Sequence, residues 1–209
     1  MPRRFLLPAL AAVAALLVSA APASALSKAQ CTSYINKYQS KAPVSGSGEA
    51  IATRCLLSRT RLANGVGGLT VNSTLSGTAA AHARASVANQ FWSLTNGLVS
   101  HLDPGTPVPG DPNALQNLVN QQVDARIRGA GYCAGGSAYS DGEITYGGSG
   151  TLQTPKAAVA WWMNDPPHRD AILSPQFTQY GVSVVRGSAF PGGGTDAATY
   201  VVDLGSCTP

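Results

Sequence analysis

The hydrophobic pattern of the chain changes its period towards the C-terminus, and this change restricts the possible folds more than any other feature. Helical patterns come first, and two patterns that alternate every second residue come last. The alternating positions are Val182 and Val184 in the first, and Tyr200, Val202 and Leu204 in the second. Helices followed by strands predict an α+β layered fold. Residues 191–194, Pro-Gly-Gly-Gly, predict a long turn between the strands.

The first half of the chain carries three helical patterns. A short helix is predicted over residues 26–41, followed by a loose Gly- and Ser-containing linker at 42–48. A second helix ends at Asn64-Gly65 and has three positions on one face, Ile51, Cys55 and Leu62. Asn72 or Ser73 can cap a third helix. Its predicted inner face comprises Leu75, Ala79, His82 and Ser86.

Two more helices are predicted further along. One has Asp111 as its cap, Pro112 at its first position and an end at Gly129. Its apolar positions are Leu115, Leu118, Val119, Val123 and Ile127. The other runs from Thr154-Pro155 to the stop at Pro166-Pro167.

The last helix contains two adjacent tryptophans, Trp161 and Trp162. Adjacent helical side chains point about 100° apart, so we expect one of them to face the core. Its candidate neighbours are Tyr180, Val182 and Val184. Residues 133–152 are rich in Gly and Ser without a clear period, and this predicts a surface loop or a loop that lines a site.

The N-terminus has the pattern of a secretory signal peptide. Arg3 and Arg4 form a positive region, residues 5–18 are almost entirely apolar, and small residues lead to a cleavage site after Ala25. A membrane anchor is the alternative, but the apolar run is shorter than the roughly 20 residues that a span needs. We therefore predict a secreted, extracellular protein that starts near Leu26 and has no transmembrane segment in its mature chain.

The charge of the chain argues against nucleic acid as a partner. The formal net charge is +4, and two of these charges would leave with the signal peptide. The remaining cations are scattered and form no dense basic patch, which nucleic-acid binding requires. Charged residues make up only 11% of the chain, fewer than is usual for a cytosolic enzyme.

All four cysteines lie after the predicted cleavage site. An even number in an exported chain predicts two disulfides, whereas a zinc site would need closely spaced pairs that are absent from this sequence. Three connectivities are possible. We favour Cys31–Cys55, which would tie the N-terminal arm to the domain, and Cys133–Cys207, which would attach the last strand to the middle of the chain.

Few residues can carry chemistry, because the chain has three histidines and ten carboxylates. His101 lies in a loop, Ser-His-Leu-Asp-Pro-Gly, and His168 directly follows a double proline. Glu143 lies in a Gly-rich stretch. His82, on the apolar side of a helix, is predicted to be a packed histidine.

Six segments of the sequence, in order, resemble the bacterial branch of the CAP superfamily, the SCP-like extracellular proteins. Together they extend over about residues 50–206. They are LLSRTRLANGVGGLTVN at 56–72, SHLDPGT at 100–106, RIRGAGY at 126–132, GEITYGG at 142–148, AVAWWMNDPPHRDAILSPQFTQYGVSVV at 158–185 and YVVDLGS at 200–206. The resemblance implies a three-layer α-β-α sandwich with a small antiparallel central sheet. It divides the chain into a signal peptide (1–25), an arm and linker (26–48) and a CAP domain (49–209).

The resemblance also implies a cavity lined by two histidines and two acidic residues. His101 and His168 match the two histidines, which can hold zinc or another divalent metal weakly. Glu143 matches the acidic residue of a Gly-Glu-Asn-Ile motif, from which this chain departs at Ile144. Asp165 stands where animal members have their second glutamate.

Two functions from different classes follow. The first is a binding protein without robust catalysis, whose cavity takes a divalent metal and a small ligand, a lipid or a partner surface. The alternative is a metal-assisted secreted hydrolase, a peptidase or esterase that uses the same residues. A purely structural or adhesive role is a third. A serine triad from Ser100 or Ser183 ranks last, because no Gly-x-Ser-x-Gly elbow is present.

Overall fold

The structure is a computed structural model that describes residues 26–39 and 46–208. The predicted signal peptide and most of the predicted linker lie outside these residues. The elements, in chain order, are α1 (Lys28–Lys37), α2 (Ser47–Ala63), β1 (Thr70–Val71), α3 (Ser73–Asn89), α4 (Pro112–Gly129), β2 (Ala138–Ser149), α5 (Pro155–Asn164), α6 (Pro166–Leu173), β3 (Gln179–Arg186) and β4 (Ala197–Thr208). Two 3₁₀ turns, Gly97–His101 and Gly150–Leu152, complete the elements of the described residues.

A four-stranded sheet in the order β1-β3-β4-β2 forms the middle layer. The long strands β2, β3 and β4 are antiparallel, and the two residues of β1 pair in parallel with β3. Because side chains alternate along a strand, Val202 packs with Trp162 of α5 on one face, while Val201 packs with Ala79 of α3 on the other. Helices therefore cover both faces, and the predicted α+β, three-layer α-β-α sandwich is confirmed.

Capping residues start the helices where the sequence predicts. Asn72 Oδ1 accepts a hydrogen bond from the amide of Leu75, and Asp111 accepts one from Ala114. The predicted inner faces of both helices are also confirmed. The buried residues include Leu75, Ala79, His82 and Ser86 in α3 and Leu115, Val119, Val123 and Ile127 in α4, whereas the remaining predicted position of α4, Leu118, is only half-buried.

Of the two tryptophans in α5, one faces the core as predicted. Trp162 has 0% of its surface exposed and donates its indole N–H to the carbonyl of Thr145 on β2. Trp161 points outward and is 48% exposed. Tyr180, Val182 and Val184 belong to the same core cluster as Trp162.

The prediction for the inner face of α2 is wrong at its C-terminal end. Leu62 is 65% exposed, and Arg61 takes the buried position with 1% of its surface exposed. The Arg61 guanidinium donates hydrogen bonds to four main-chain carbonyls, those of Gly67, Ile172, Ser174 and Phe177. A buried cation satisfied by carbonyls can replace an apolar residue in a helix face, and a hydrophobic pattern does not detect it.

The prediction of a loop over residues 133–152 is also wrong, because Ala138–Ser149 forms β2 and pairs with all of β4. Its small residues are needed where other elements approach closely. A Cβ atom on Gly148 would lie 2.2 Å from the carbonyl oxygen of Leu152. Neighbouring elements therefore fill the space that large side chains of an ordinary strand would occupy. For this reason β2 shows no recognisable hydrophobic alternation in the sequence.

Both predicted disulfides are present. Cys31–Cys55 joins α1 to α2, and Cys133–Cys207 joins the loop after α4 to β4, each with a Cα–Cα distance of 5.4 Å. None of the residues of α1 is buried, and the first disulfide ties this helix covalently to α2. Arg59 adds hydrogen bonds to Thr32 and to the carbonyl of Lys28.

The two disulfides should contribute unequally to stability. Replacing Cys133 and Cys207 by alanine should lower the free energy of unfolding by about 2–4 kcal/mol, because the bridge closes a long loop within the core domain. Replacing Cys31 and Cys55 by alanine should lower the free energy of unfolding by a smaller amount and release α1. Urea titrations would measure the first effect, and amide hydrogen exchange in α1 the second. Equal losses for both pairs would contradict this ranking.

Arg61 should be among the most sensitive positions of α2. Arg61→Leu would leave buried carbonyl groups without donors, each costing about 1–3 kcal/mol, so we expect the mutant to lose at least about 3 kcal/mol of unfolding free energy. The exposed Arg59 is the matched control, and Arg59→Leu should change stability by about 0.5 kcal/mol or less. Similar urea midpoints for the two mutants would disprove the role assigned to Arg61.

Candidate functional site

A short 3₁₀ turn places His101 against the sheet. Asn96 caps this turn by accepting a hydrogen bond from the amide of Leu98. The hydroxyl of Ser100 bonds to the carbonyl of Gly97 and to Thr145 of β2. His101 is consequently buried rather than lying in an open loop, and its Nδ1 is 2.9 Å from Glu143 Oε1.

Glu143 lies on β2 and faces α3 and α4, with 1% of its side chain exposed. Arg126 of α4 contacts both of its oxygens through Nη2, at 3.1 and 3.0 Å. Through Nη1, Arg126 also bonds to the carbonyl of His101 and to Asp103. One guanidinium thus holds both Glu143 and the main chain of His101.

His82 of α3 is buried as predicted, but it also belongs to this network. Its Nε2 lies 2.8 Å from the carbonyl of Ser100 and 3.8 Å from Glu143 Oε1. A carbonyl oxygen only accepts, so Nε2 carries a proton and donates it. Burial lowers the pKa of His82, and this effect outweighs the negative charge of Glu143, which acts to raise it. His82 is therefore neutral at neutral pH.

The surroundings of Glu143 keep it ionised. Burial by itself would raise the pKa of Glu143, but positive charge at His82 and Arg126 and the hydrogen bond from His101 hold that pKa below its ordinary value. Because His82 is neutral at neutral pH, Arg126 is the cation that has this effect there. An ionised carboxylate only accepts hydrogen bonds, so His101 donates its Nδ1–H to Glu143.

His168 reaches the same region from the opposite layer. It lies in the first turn of α6, and its Nδ1 is 2.5 Å from Oδ2 of Asp165, the cap residue between α5 and α6. Burial lowers the pKa of His168, although the hydrogen bond to Asp165 acts in the opposite direction. The edge of Trp161 contacts His168 with ring centres 5.0 Å apart.

The four residues predicted to line the cavity therefore come together as two His–carboxylate pairs. One pair is His101 with Glu143, and the other is His168 with Asp165. The imidazole rings of the two histidines face each other with centres 6.3 Å apart and planes inclined by 31°.

The two histidines meet some of the requirements of a site for a weakly bound divalent metal, but not all of them. Each histidine uses Nδ1 to contact a carboxylate, which leaves Nε2 as the nitrogen with a free lone pair. Metal-binding histidines usually have such a carboxylate partner. Among the described residues, however, no group of three or more His, Cys, Asp or Glu side chains is placed to hold a metal. Any metal at this position would rely on two protein ligands.

Reasoning from the sequence missed three members of the network, Arg126, Asp203 and Thr78. Asp203 lies on β4 directly opposite Glu143 and bonds to the hydroxyl of Thr78 on α3. Arg126 continues the buried stripe of α4, and Asp203 interrupts an apolar strand. A charge in an otherwise apolar row is the signal that could have identified both.

A separate open cavity of about 480 Å³ lies between α3 and α4. It is lined by small residues together with one cation: Ser73, Thr74, Gly77, Thr78, Ala81, Arg126 and Ala130. It does not include the four predicted cavity residues, and Arg126 and Thr78 connect it to the network around Glu143.

Three solved structures are similar to this chain, and the first of them supports the fold. An outer surface protein from Borrelia burgdorferi has a TM-score of 0.51 and 17% identity, covering 74% of this chain and 90% of its own. An extracellular protein containing an SCP domain from Bacillus anthracis has a TM-score of 0.49 and 17% identity, over 76% of this chain and 40% of its own. A cysteine-rich secretory protein from Staphylococcus aureus has a TM-score of 0.42 and 15% identity, over 77% of this chain and 39% of its own. The chain thus spans less than half of these last two proteins.

Comparison with curated proteins finds no match. The sequence profile of the cysteine-rich secretory protein family, CAP, matches residues 56–202. This segment contains α3, the histidine turn, α4, β2, α5, α6 and β3, and therefore all four residues of the two His–carboxylate pairs. The chain belongs to the CAP family.

Proposed function

We propose that this CAP-family protein is a secreted binding protein that holds a divalent metal weakly between His101 and His168. Secretion is supported by the signal-peptide pattern at residues 1–25 and by the two disulfides, which persist in oxidising compartments. In the described residues, no helix has the length and apolar character needed to cross a membrane.

The observation that carries the proposal is the pairing of each histidine with a carboxylate. Glu143 orients His101, and Asp165 orients His168, so that the same nitrogen, Nε2, remains on each ring. A carboxylate partner fixes the tautomer and strengthens the imidazole as a ligand. Such an arrangement is preorganised for a cation, although two ligands imply low affinity.

The same geometry argues against the hydrolase alternative. A general base works best when its pKa lies near the working pH. Arg126 contacts both oxygens of Glu143, and the pKa of Glu143 is held below its ordinary value. Glu143 is therefore a weak base whose lone pairs are already engaged, and its role is to orient His101.

Of the two candidate serine nucleophiles, Ser100 is also committed to structural contacts. The hydroxyl of Ser100 bonds to Gly97 and Thr145, and the contact between Ser100 and His82 uses its main-chain carbonyl. A serine triad needs the hydroxyl itself to bond to an imidazole nitrogen. The described contacts of Ser100 thus favour packing over catalysis.

The ligand or partner would meet the site at Trp161. This side chain is half exposed and contacts both His168 and Tyr146. An exposed tryptophan beside polar groups suits an apolar chain or a partner surface that has a polar end near the histidines. We therefore extend the proposal to a small ligand, a lipid or a protein surface bound next to the metal.

Zinc binding tests the site directly. Isothermal calorimetry with the mature protein should show weak binding that is lost in His101→Ala and in His168→Ala. Asp165→Asn should lower the affinity about tenfold or more, since it removes the carboxylate partner of His168. Binding should weaken as the pH falls below about 6.5, where imidazoles protonate. Because its pKa is lowered by burial, His168 itself should stay unprotonated, and able to bind, at somewhat lower pH than a free histidine.

His82→Ala is the matched control for the zinc experiment. It should leave zinc binding intact and lower thermal stability, because it leaves the carbonyl of Ser100 without its donor. Equal zinc binding by the wild type and the His101→Ala/His168→Ala double mutant would refute the site.

Assays of hydrolysis separate the two functions. We expect no turnover above background with casein, short fluorogenic peptides or nitrophenyl esters, with or without zinc, because no described group combines a free nucleophile with an activating base. Turnover that disappears in Glu143→Gln would overturn the binding proposal and establish the hydrolase instead.

A further inference from the structure

Two carboxyl groups face each other inside the protein, and only one of them belongs to the proposed site. Glu143 on β2 and Asp203 on β4 are direct cross-strand partners, so their side chains lie on the same face of the sheet. The Glu143 side chain is 1% exposed, and Asp203 is also 1% exposed. Water cannot reduce the repulsion between two charges placed in this way.

The nearby cations do not suffice for two carboxylates. Arg126 is the cation next to these two carboxyl groups, and its guanidinium is shared between Glu143 and Asp103. His82 is neutral at neutral pH because burial lowers its pKa. Arg126 contacts both oxygens of Glu143, and Asp203 has no ion pair among the described residues.

The hydrogen bonds of Asp203 indicate where a proton belongs. Its Oδ2 lies 2.5 Å from the hydroxyl of Thr78, which can donate to it. Its Oδ1 is buried and has no hydrogen-bond partner in the part of the chain that the structure describes. Two ionised carboxylates cannot bond to each other, whereas one proton on Oδ1 would give this atom the Glu143 carboxylate as its acceptor.

We propose that Asp203 is an uncharged carboxylic acid at neutral pH that donates Oδ1–H to Glu143 and is thereby a positioning residue for the His101 pair. Thr78 donates to Asp203 Oδ2, Asp203 donates to Glu143, and Glu143 accepts Nδ1–H from His101. This chain of hydrogen bonds connects α3, β4, β2 and the 3₁₀ turn. Its last step, the effect on a metal at His101, rests on the proposed function.

The electrostatic surroundings agree with this assignment. Burial raises the pKa of Asp203 well above its ordinary value, and the charge of Glu143 and the hydrogen bond that protonated Asp203 makes to Glu143 raise it further. Thr78 of α3 and Arg126 of α4 act in the opposite direction. The groups that face Asp203 from β2, α3 and α4 are thus Glu143, Thr78 and Arg126.

Carbon-13 NMR of protein labelled at the aspartate carboxyl carbons tests the protonation state directly. The Asp203 signal is identified as the one missing from Asp203→Asn. We expect its chemical shift to be that of a protonated acid at pH 7 and to move to the carboxylate value only at higher pH. A carboxylate shift at pH 7 would overturn the proposal.

The pH dependence of the folding free energy tests the protonation state of Asp203 independently. An unfolded aspartate has a pKa of about 3.9, and a raised pKa in the folded state means that folding takes up a proton above this pH. The stability that the proton contributes is complete below about pH 4 and is lost as pH rises towards the folded pKa. Asparagine resembles the neutral acid and does not titrate. The folding constant of Asp203→Asn relative to wild type should therefore rise about tenfold per pH unit above pH 4. A ratio independent of pH would overturn the proposal.

Zinc calorimetry tests the positioning role. Asp203→Val keeps a strand-forming residue but removes the donor, and should weaken zinc binding about tenfold or more. Asp203→Asn retains an N–H donor towards Glu143 and should bind zinc as the wild type does. Equal binding by the valine and asparagine variants would overturn the positioning role. If Asp203→Val does not fold, loss of zinc binding in Asp203→Asn would overturn the positioning role instead.

The experiments also distinguish this inference from the function on which its last step rests. Should the wild type bind no zinc, the proposed function fails, while the NMR and stability measurements still decide whether Asp203 is a neutral donor to Glu143. Neither measurement requires a metal.

Discussion

The contact between Arg126 and Glu143 is the interaction on which the rest of the site depends. An isolated carboxylate in a protein interior is strongly unfavourable, and a guanidinium that contacts both of its oxygens makes it tolerable. Arg126 also bonds to the carbonyl of His101 and to Asp103, so one side chain connects α4, the 3₁₀ turn and β2. The orientation of His101 follows from this connection. Removing the guanidinium would leave a buried charge next to a second carboxyl group at Asp203.

The site joins two layers that the sheet keeps apart. His101 and Glu143 are held from the side of α3 and α4, whereas Asp165 and His168 come from the junction of α5 and α6. Arg61 of α2 binds the carbonyls of Ile172 and Ser174 at the C-terminal end of α6 and so fixes the helix that carries His168. The separation of the two imidazole rings is therefore a property of the whole sandwich. A buried cation far from the histidines contributes to it by fixing a helix rather than by touching the site.

Hydrophobic period and capping predicted the helices well, and they failed where packing is unusual. The strands β3 and β4 carry large apolar residues at every second position and could be recognised directly. The strand β2 could not, because its Gly and Ser residues lie where neighbouring elements approach closely and leave no alternating pattern. In α2, Leu62 was expected inside, but Arg61 occupies the buried position because four carbonyls satisfy it. In both places most of the partners lie far away in the sequence, such as Phe177 beside Gly142, Phe190 beside Gly147 and Ile172 at Arg61.

The sequence by itself predicted five of the helices, the last two strands, a signal peptide, two disulfides and the four residues that form the His–carboxylate pairs. These features depend on local composition, on short spacings and on motifs that resemble a family. Only the tertiary structure decided which groups surround those four residues, because the partners are distant along the chain. His101 and Glu143 are 42 residues apart, and Thr78 and Asp203 are 125 apart. Whether a buried acid is charged depends on the cations and hydrogen-bond donors that the fold brings to it, and no local pattern contains that information.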